Sequence, residues 1–334
     1  MKIIGADERL NEPRGVKILL IGPTGVGKTS QLRTLDSDRV LFVDGEAGDL
    51  SVQDVPVDTI RIDDWATARN IAVRIGGFNP SFAPTSCYSE AHYKAVGGAL
   101  ENLDKYDLIF VDSITAISRL SFRWAEQQPE ARSERTGARD LRSTYGLHGR
   151  EMLMWLHQLQ HVRSKHVIFV GVLEKVTDDF GRFVEHRLQM EGAKVPREIG
   201  AIVDEVIVME FLDFGDHKLT RGFVCRPDNP WKFPAKDRSG KLDQTEPPHL
   251  GNLIAKILNR GIPPPSNRRG PCPSTTHRLP TLRTSLSPFR TAPSPRCRCA
   301  SAPAGLAKTI SSGARRAAMP RCSTASSSSS TASS

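Results

Sequence analysis

Long apolar runs are missing from this chain of 334 residues, cysteine is scarce, and acid disappears altogether past residue 260. No stretch approaches the roughly 18 apolar residues that a membrane-spanning helix requires. The N-terminus turns acidic between Met1 and Glu8, so no secretory leader is expected either. Two cysteines, Cys87 and Cys225, fall in the first 260 residues without metal-ligand spacing; Cys272, Cys297, Cys299 and Cys322 follow. That usage suits a reducing cytoplasm, here a bacterial one. The nine histidines have no paired spacing near acids or cysteines, so no protein-built metal site is expected.

The missing acid divides the chain. Residues 261–334 carry 11 basic side chains, ten of them Arg, and 11 of the 23 prolines, with no Asp or Glu. The first 260 residues hold 35 basic against 37 acidic side chains, so the formal charge of +9 belongs to the C-terminal stretch. Overall basicity is therefore no argument for a nucleic-acid-binding body. Residues 1–260 are expected to fold, and residues 261–334 to form a disordered Pro/Ser/Arg-rich tail. Two readings of that tail stay open: a basic arm that touches nucleic acid or a partner, or a product of out-of-frame translation.

Within the body, short apolar runs alternate with helical patterns. Val16–Gly22, Val40–Val43, Thr59–Ile62, Leu108–Val111, Val167–Val172 and Val206–Phe211 read as buried strands of a mainly parallel sheet. Helices are expected at Lys28–Leu35, Trp65–Ile75, Glu90–Leu103, Ile114–Gln127 and Gly149–Val162, the last with Met152, Met154 and Trp155 as core residues. Lys218–Cys225 and Trp231–Phe233 look like shorter strands before a closing helix at Leu250–Leu258. The alternation predicts an α/β domain with helices on both faces of the sheet.

One segment carries explicit chemistry. Gly22-Pro23-Thr24-Gly25-Val26-Gly27-Lys28-Thr29 matches G-x-x-x-x-G-K-[ST] in full, after a strand and at the start of a helical segment, and Ser30 continues it. Glycines let successive backbone N–H groups face a phosphate, Lys28 reaches the outer phosphates of ATP, and the Thr29 hydroxyl binds Mg2+. Asp112 ends the apolar strand Leu108–Val111 as the carboxylate that holds the metal shell, the alternative being a strand-end residue beside a helix cap. Glu46, just past Val40–Val43, is placed to polarise an attacking water; its alternative is a solvated loop acid beside Asp44 and Asp49.

GPTGVGKT, VLFVDGE and LIFVDS together resemble the RecA-type ATPases. More narrowly, residues 14–260 look like compact ATP-binding proteins of phages and prophages, of the AAA kind, some linked to single-strand annealing and recombination. The segment RGFVCRPDNPWKFPAKDRSGKLD, followed by EPPHLGNLI, adds to that similarity. The resemblance implies a RecA-like P-loop fold, Glu46 as catalytic base, and a phosphate sensor near Glu174 or Lys175. It also implies homo-oligomers in which a basic residue reaches a neighbour's ATP site, with Lys232, Lys236 and Arg238 in the matching segment. The short stretch before the phosphate loop predicts no N-terminal helix-hairpin-helix module of the kind eukaryotic-type recombinases carry.

RecA-like proteins bind single-stranded DNA through two loops, and two segments have suitable places. They are Pro129–Tyr145, with Arg132, Arg135, Arg139 and Arg142, and Lys175–Arg197, with Arg182, Arg187, Lys194 and Arg197 beside Phe183. Acidic residues interspersed among them keep open the reading of ordinary charged loops. Two functions are thus in view: an ATPase acting on single-stranded DNA in phage recombination or replication, or a slow nucleotide-gated switch for a protein partner.

Overall fold

The structure is a computed structural model, described here for residues 3–133, 135–213 and 218–259. All of these belong to the first of two compact units, Met1–Asn267. The predicted tail, with Cys297 and Cys299, lies outside the described residues.

In chain order the elements are α1 (Ala6–Asn11), β1 (Lys17–Gly22), β2 (Val40–Asp44), β3 (Asp58–Arg61), α2 (Trp65–Gly76), α3 (Glu90–Ala95), β4 (Leu108–Asp112) and α4 (Ile114–Gln127). There follow α5 (Leu141–Gln160), β5 (His166–Thr177), β6 (Phe183–Leu188), α6 (Lys194–Ile202), β7 (Glu205–Asp213), β8 (Leu219–Val224), β9 (Lys236–Asp237), β10 (Thr245–Glu246) and α7 (Leu250–Ile257). The sheet runs β10-β8-β7-β1-β5-β4-β2-β3, with β6 against β5 and β9 against β7. From β7 through β3 its strands are parallel, while β8, β10, β6 and β9 pair antiparallel. This is the mainly parallel α/β architecture expected.

Strand periodicity places the core. Along β1, Leu19 and Ile21 enter one apolar layer with Trp65, Ile114, Trp155 and Ile199 from α2, α4, α5 and α6. Ile18 and Leu20 enter the opposite layer with Leu32 and with Leu250, Leu253 and Ile254 of α7. Side chains two apart share a face, so a strand covered by helices on both sides is apolar along its interior, as β1, β2 and β4 are up to their charged ends, Lys17, Asp44 and Asp112.

Helix starts follow local capping chemistry. The Asp64, Ser89, Ser113 and Asp140 side chains each accept a hydrogen bond from a first-turn N–H of α2, α3, α4 and α5. Several expected boundaries move for physical reasons. The helix predicted over Glu90–Leu103 ends at Ala95, because Gly97 and Gly98 turn the chain at φ of 87° and 76°. The helix after the phosphate loop is instead a 3₁₀ segment, Thr29–Thr34. Trp231–Phe233 forms no strand; Asn229 holds that turn by donating to the Phe233 carbonyl and accepting from the Phe233 N–H. Much of Lys175–Arg197, predicted as a loop, is the β5–β6 hairpin and the start of α6.

Candidate nucleotide site

The parallel strands end at one edge, and their pairing sets the site. Gly22 pairs with Val172, Asp112 with Val170, and Asp44 with Asp112, so the ends of β1, β4 and β2 lie nearly level. β5 separates the phosphate-loop strand from the Asp112 strand. Ligands of open α/β sheets bind in such a crevice beyond the carboxyl ends of the strands.

The loop itself is anchored and bent by sequence. Val26 is buried in the α7-side layer, while Gly25 and Gly27 take φ of 80° and 100°, where a side chain would be strained. Gly22 has a second constraint, since a Cβ there would come within 2.3 Å of the Met209 carbonyl oxygen. Lys28 folds back on its own loop, its Nζ donating to the carbonyls of Gly22 and Pro23 at 2.9 Å each. Thr24 is exposed, and Thr29 and Ser30 are half-buried along the same rim.

The acids gather opposite that loop. The Thr29 hydroxyl donates to Asp112 Oδ2 at 2.5 Å. Burial pushes the Asp112 carboxyl up to about 6; the Thr29 hydrogen bond opposes that, Glu46 adds to it, Lys28 opposes and Asp44 adds. Burial likewise lowers the Lys28 ammonium from its ordinary value, opposed by Asp112, Glu46 and Glu210. Asp44 shapes the next turn: its Oδ1 accepts from the N–H groups of Glu46 and Ala47 at 3.0 and 2.9 Å. The Gly45 N–H donates across to the Asp112 carbonyl at 2.8 Å, which brings Glu46 beside Ser113, whose hydroxyl donates to the Glu46 carboxylate.

Lys28, Thr29, Asp112 and Glu46, separated by up to 84 positions, are thus gathered at one rim. Ser113 and Asp44 are partners the motif reading did not single out as functional. Their signal was only adjacency to Asp112 and Glu46. Hydroxyl and carboxylate oxygens are the donors Mg2+ takes, and Asp44 Oδ2 is buried with no hydrogen-bond partner, so the rim fits a hydrated cation.

Other candidates are scattered. Glu174 and Lys175 lie within β5, Glu174 in an ion pair with Arg187 at 2.5 Å and Lys175 Nζ 5.7 Å from the Phe183 ring centroid. Arg187 and Arg197 line a cavity of about 330 Å³ between β6 and α6, together with His186. Arg182 sits at the hairpin turn over exposed Phe180, and Lys194 packs on Gly149 of α5, so these two do not join that cavity. In the other segment, Arg139 pairs with Glu126 and Arg132 bridges to Arg139.

Lys236 and Arg238 lie at the opposite edge of the sheet. Lys236 donates to the Gly200 and Val203 carbonyls, and Arg238 pairs with Asp204 at 3.1 Å. Lys232 is exposed at a φ of 59°. Among the described residues no helix is long and apolar enough to cross a membrane.

No curated protein matches the chain. Among solved structures it is similar to the RadB recombinase, at 14% identity and a TM-score of 0.31, over 67% of this chain and 91% of that one. It is also similar to an ATPase from the type III secretion system of pathogenic bacteria, at 15% identity and a TM-score of 0.30, over 59% of this chain and 51% of that one. Residues 14–239, which contain the phosphate loop, Glu46 and Asp112, match the AAA domain family. With that match covering more than half of its length, the chain belongs to the AAA domain family and is a P-loop ATPase.

Proposed function

We propose that the protein binds ATP with Mg2+ at the Gly22–Ser30 loop and hydrolyses it, and that turnover is coupled to single-stranded DNA in phage recombination or replication. The observation that carries the hydrolytic reading is the rim where Thr29 bonds Asp112 and Ser113 bonds Glu46. Lys28 leaves its loop carbonyls to neutralise the outer phosphates, and Thr29 and Asp112 hold the Mg2+ shell. Mg2+ supplies charge neutralisation of the phosphates when bound. Glu46, an exposed residue oriented by Ser113, takes the proton of the attacking water.

The DNA reading draws on the β5–β6 hairpin. It presents exposed Phe180 with Arg182 stacked 5.7 Å from its ring centroid, and Arg187 and Arg197 lie along the adjoining cavity. An aromatic face beside guanidinium groups suits a stacked base and a phosphate backbone, whatever the sequence. In a homo-oligomer, Lys232, exposed and outside the contacts that engage Lys236 and Arg238, is the member of its basic trio best placed to reach a neighbour's phosphates.

The test is ATP turnover with and without single-stranded DNA across a salt series, with Lys28→Ala as the blank. Stimulation by DNA that disappears in the Arg182→Ala, Arg187→Ala double variant supports the reading. DNA stimulation that survives the double variant places DNA contact elsewhere, including the C-terminal stretch. Equal turnover with and without DNA removes the DNA role and leaves a protein partner for the switch.

A further inference from the structure

The phosphate loop has two flanks, and the Mg2+-side acids occupy one, while Glu210 of β7, whose charge also reaches Lys28, lies on the other. Asp112 and Glu46 stand on the β4 and β2 side, beyond β5, while β7 and β8 flank β1 on the other side. On that second flank, Arg221 of β8 pairs across with Phe211 of β7, two residues past Met209, whose carbonyl crowds Gly22. Arg221 reaches the loop itself: a Cβ on Gly27 would lie 2.9 Å from its Nη1 and 3.4 Å from its Cζ. Its guanidinium carbon sits 5.4 Å from the Phe211 ring centroid, and Phe211 is 44% exposed.

This contact differs from those of other arginines of the domain. Arg33, Arg39 and Arg187 are each neutralised by a carboxylate, with Asp54, Asp107 and Glu174. Among the described residues no carboxylate pairs with Arg221. An aromatic face holds a guanidinium in place without cancelling its charge. The planar N–H fork is then free for an oxyanion, and phosphate oxygens match its geometry.

Polarity of the bound nucleotide follows from the two flanks. Thr29 faces the acids through Asp112 and Gly27 faces Arg221, so a phosphate chain whose terminal group lies among Lys28, Asp112 and Glu46 would have its inner phosphates on the Gly27 side, toward β7 and β8. We infer that Arg221, held on Phe211 and touching Gly27, is a second cation of the nucleotide site, supplied by the same chain and directed at the inner phosphates of a nucleoside di- or triphosphate. The inference rests on the nucleotide reading above and adds the recognition of the diphosphate unit. A contact made by the inner phosphates is present with ADP and ATP alike, so it strengthens binding of both and leaves the hydrolytic step alone.

Calorimetric titration of the full chain with ADP and with a non-hydrolysable ATP analogue tests it, alongside thermal melting of each variant. Arg221→Ala is expected to raise Kd about tenfold for both nucleotides by the same factor, with turnover at saturating ATP changed less than about threefold. Arg221→Lys, which keeps the charge and loses the fork, recovers part of the affinity, and Phe211→Leu gives an intermediate loss. Unchanged Kd values for Arg221→Ala overturn the inference, as does a loss confined to the ATP analogue, which would place the contact at the terminal phosphate. A loss tracking a lowered melting temperature equally in Arg221→Ala and Arg221→Lys assigns the residue to packing and overturns it too. Absence of any nucleotide binding by the unaltered chain overturns the ATP reading itself, whereas binding that Arg221→Ala leaves intact removes only the role of Arg221.

Discussion

Both edges of the sheet bury charge, but they satisfy it differently. At the N-terminal edge the partners are backbone. Lys17 Nζ donates to the carbonyls of Gly15, Val162 and Lys165 at 3.1, 2.9 and 2.9 Å, and Lys165 Nζ to those of Leu103 and Tyr106. Glu205 accepts from the N–H groups of Arg238 and Ser239. At the C-terminal edge, Asp112 is held by the Thr29 hydroxyl, Glu46 by the Ser113 hydroxyl and Lys28 by carbonyls of its own loop, while one Asp44 oxygen has no partner. Backbone groups fixed by the fold leave nothing for a ligand to replace. Side chains and loop carbonyls can hand their partners to a phosphate. Burial of charge alone therefore does not mark a site; exchangeable partners do.

The sharpest way to break this contrast is one substitution at each edge. Glu46→Gln is expected to lower ATP turnover by about a hundredfold or more while ATP binding and melting temperature stay close to those of the unaltered chain. Steady-state turnover beside calorimetric binding checks this. Turnover kept within a few-fold would return Glu46 to the standing of a solvated loop acid.

Lys17→Met is expected to do the reverse. It keeps the apolar stem and strands three buried carbonyls, a loss of about 2–3 kcal/mol. For a domain of this size that corresponds to about 5–10 °C in Tm, with turnover per folded molecule unchanged. Thermal melting followed by circular dichroism measures the first, and turnover normalised to folded protein the second. A Lys17→Met variant that melts normally but turns over slowly would show that the N-terminal edge also serves the chemistry.

How far the sequence discloses this contrast depends on the range of the interactions involved. β1, β2 and β4 are legible because both of their faces are buried and their interiors are apolar runs; α4 is legible to the residue, Ile114–Gln127, because Ser113 caps it. The phosphate loop declares itself because its glycines and Lys28 are contiguous. Glu46 and Asp112 could be read as strand-end acids, and parallel pairing of Asp44 with Asp112 is what makes them neighbours. Pairings set by long-range register were not legible. That Arg221 faces Gly27 depends on β8 folding back on β7 beside β1, and the β5–β6 hairpin depends on Asp178, whose Oδ1 accepts from the N–H groups of Phe180 and Arg182 in its turn. Lys236 and Arg238, grouped by sequence with Lys232, part from it because β9 pairs with the start of β7.

The smallest expected effect sharpens the comparison through pH. Glu205 pairs across the β7–β9 ladder with Asp237, near Lys236, Arg238 and Asp204. Burial first, and then the Asp237 charge, push its carboxyl up to about 8 from an ordinary 4.5, against the N–H bonds of Arg238 and Ser239. The folded chain therefore keeps a proton that the unfolded chain releases above about 4.5, and stability from this group is complete below that pH and is lost as pH rises toward 8. Asp237 is held below its ordinary value, so its contribution has the opposite sign but is lost only on acidification below about 4, outside this window. The Glu205 contribution to Tm is thus expected to fall by a few degrees between pH 5 and 8, on top of the opposite contribution of His148 and the like one of Asp112. Glu205→Gln, which has no acidic proton to release, is expected to remove that part of the slope. Melting curves for both proteins across that range decide it. A slope that Glu205→Gln leaves unchanged would mean that the backbone N–H groups of Arg238 and Ser239 already stabilise an ionised Glu205, making this edge as fully compensated in charge as it is in hydrogen bonds.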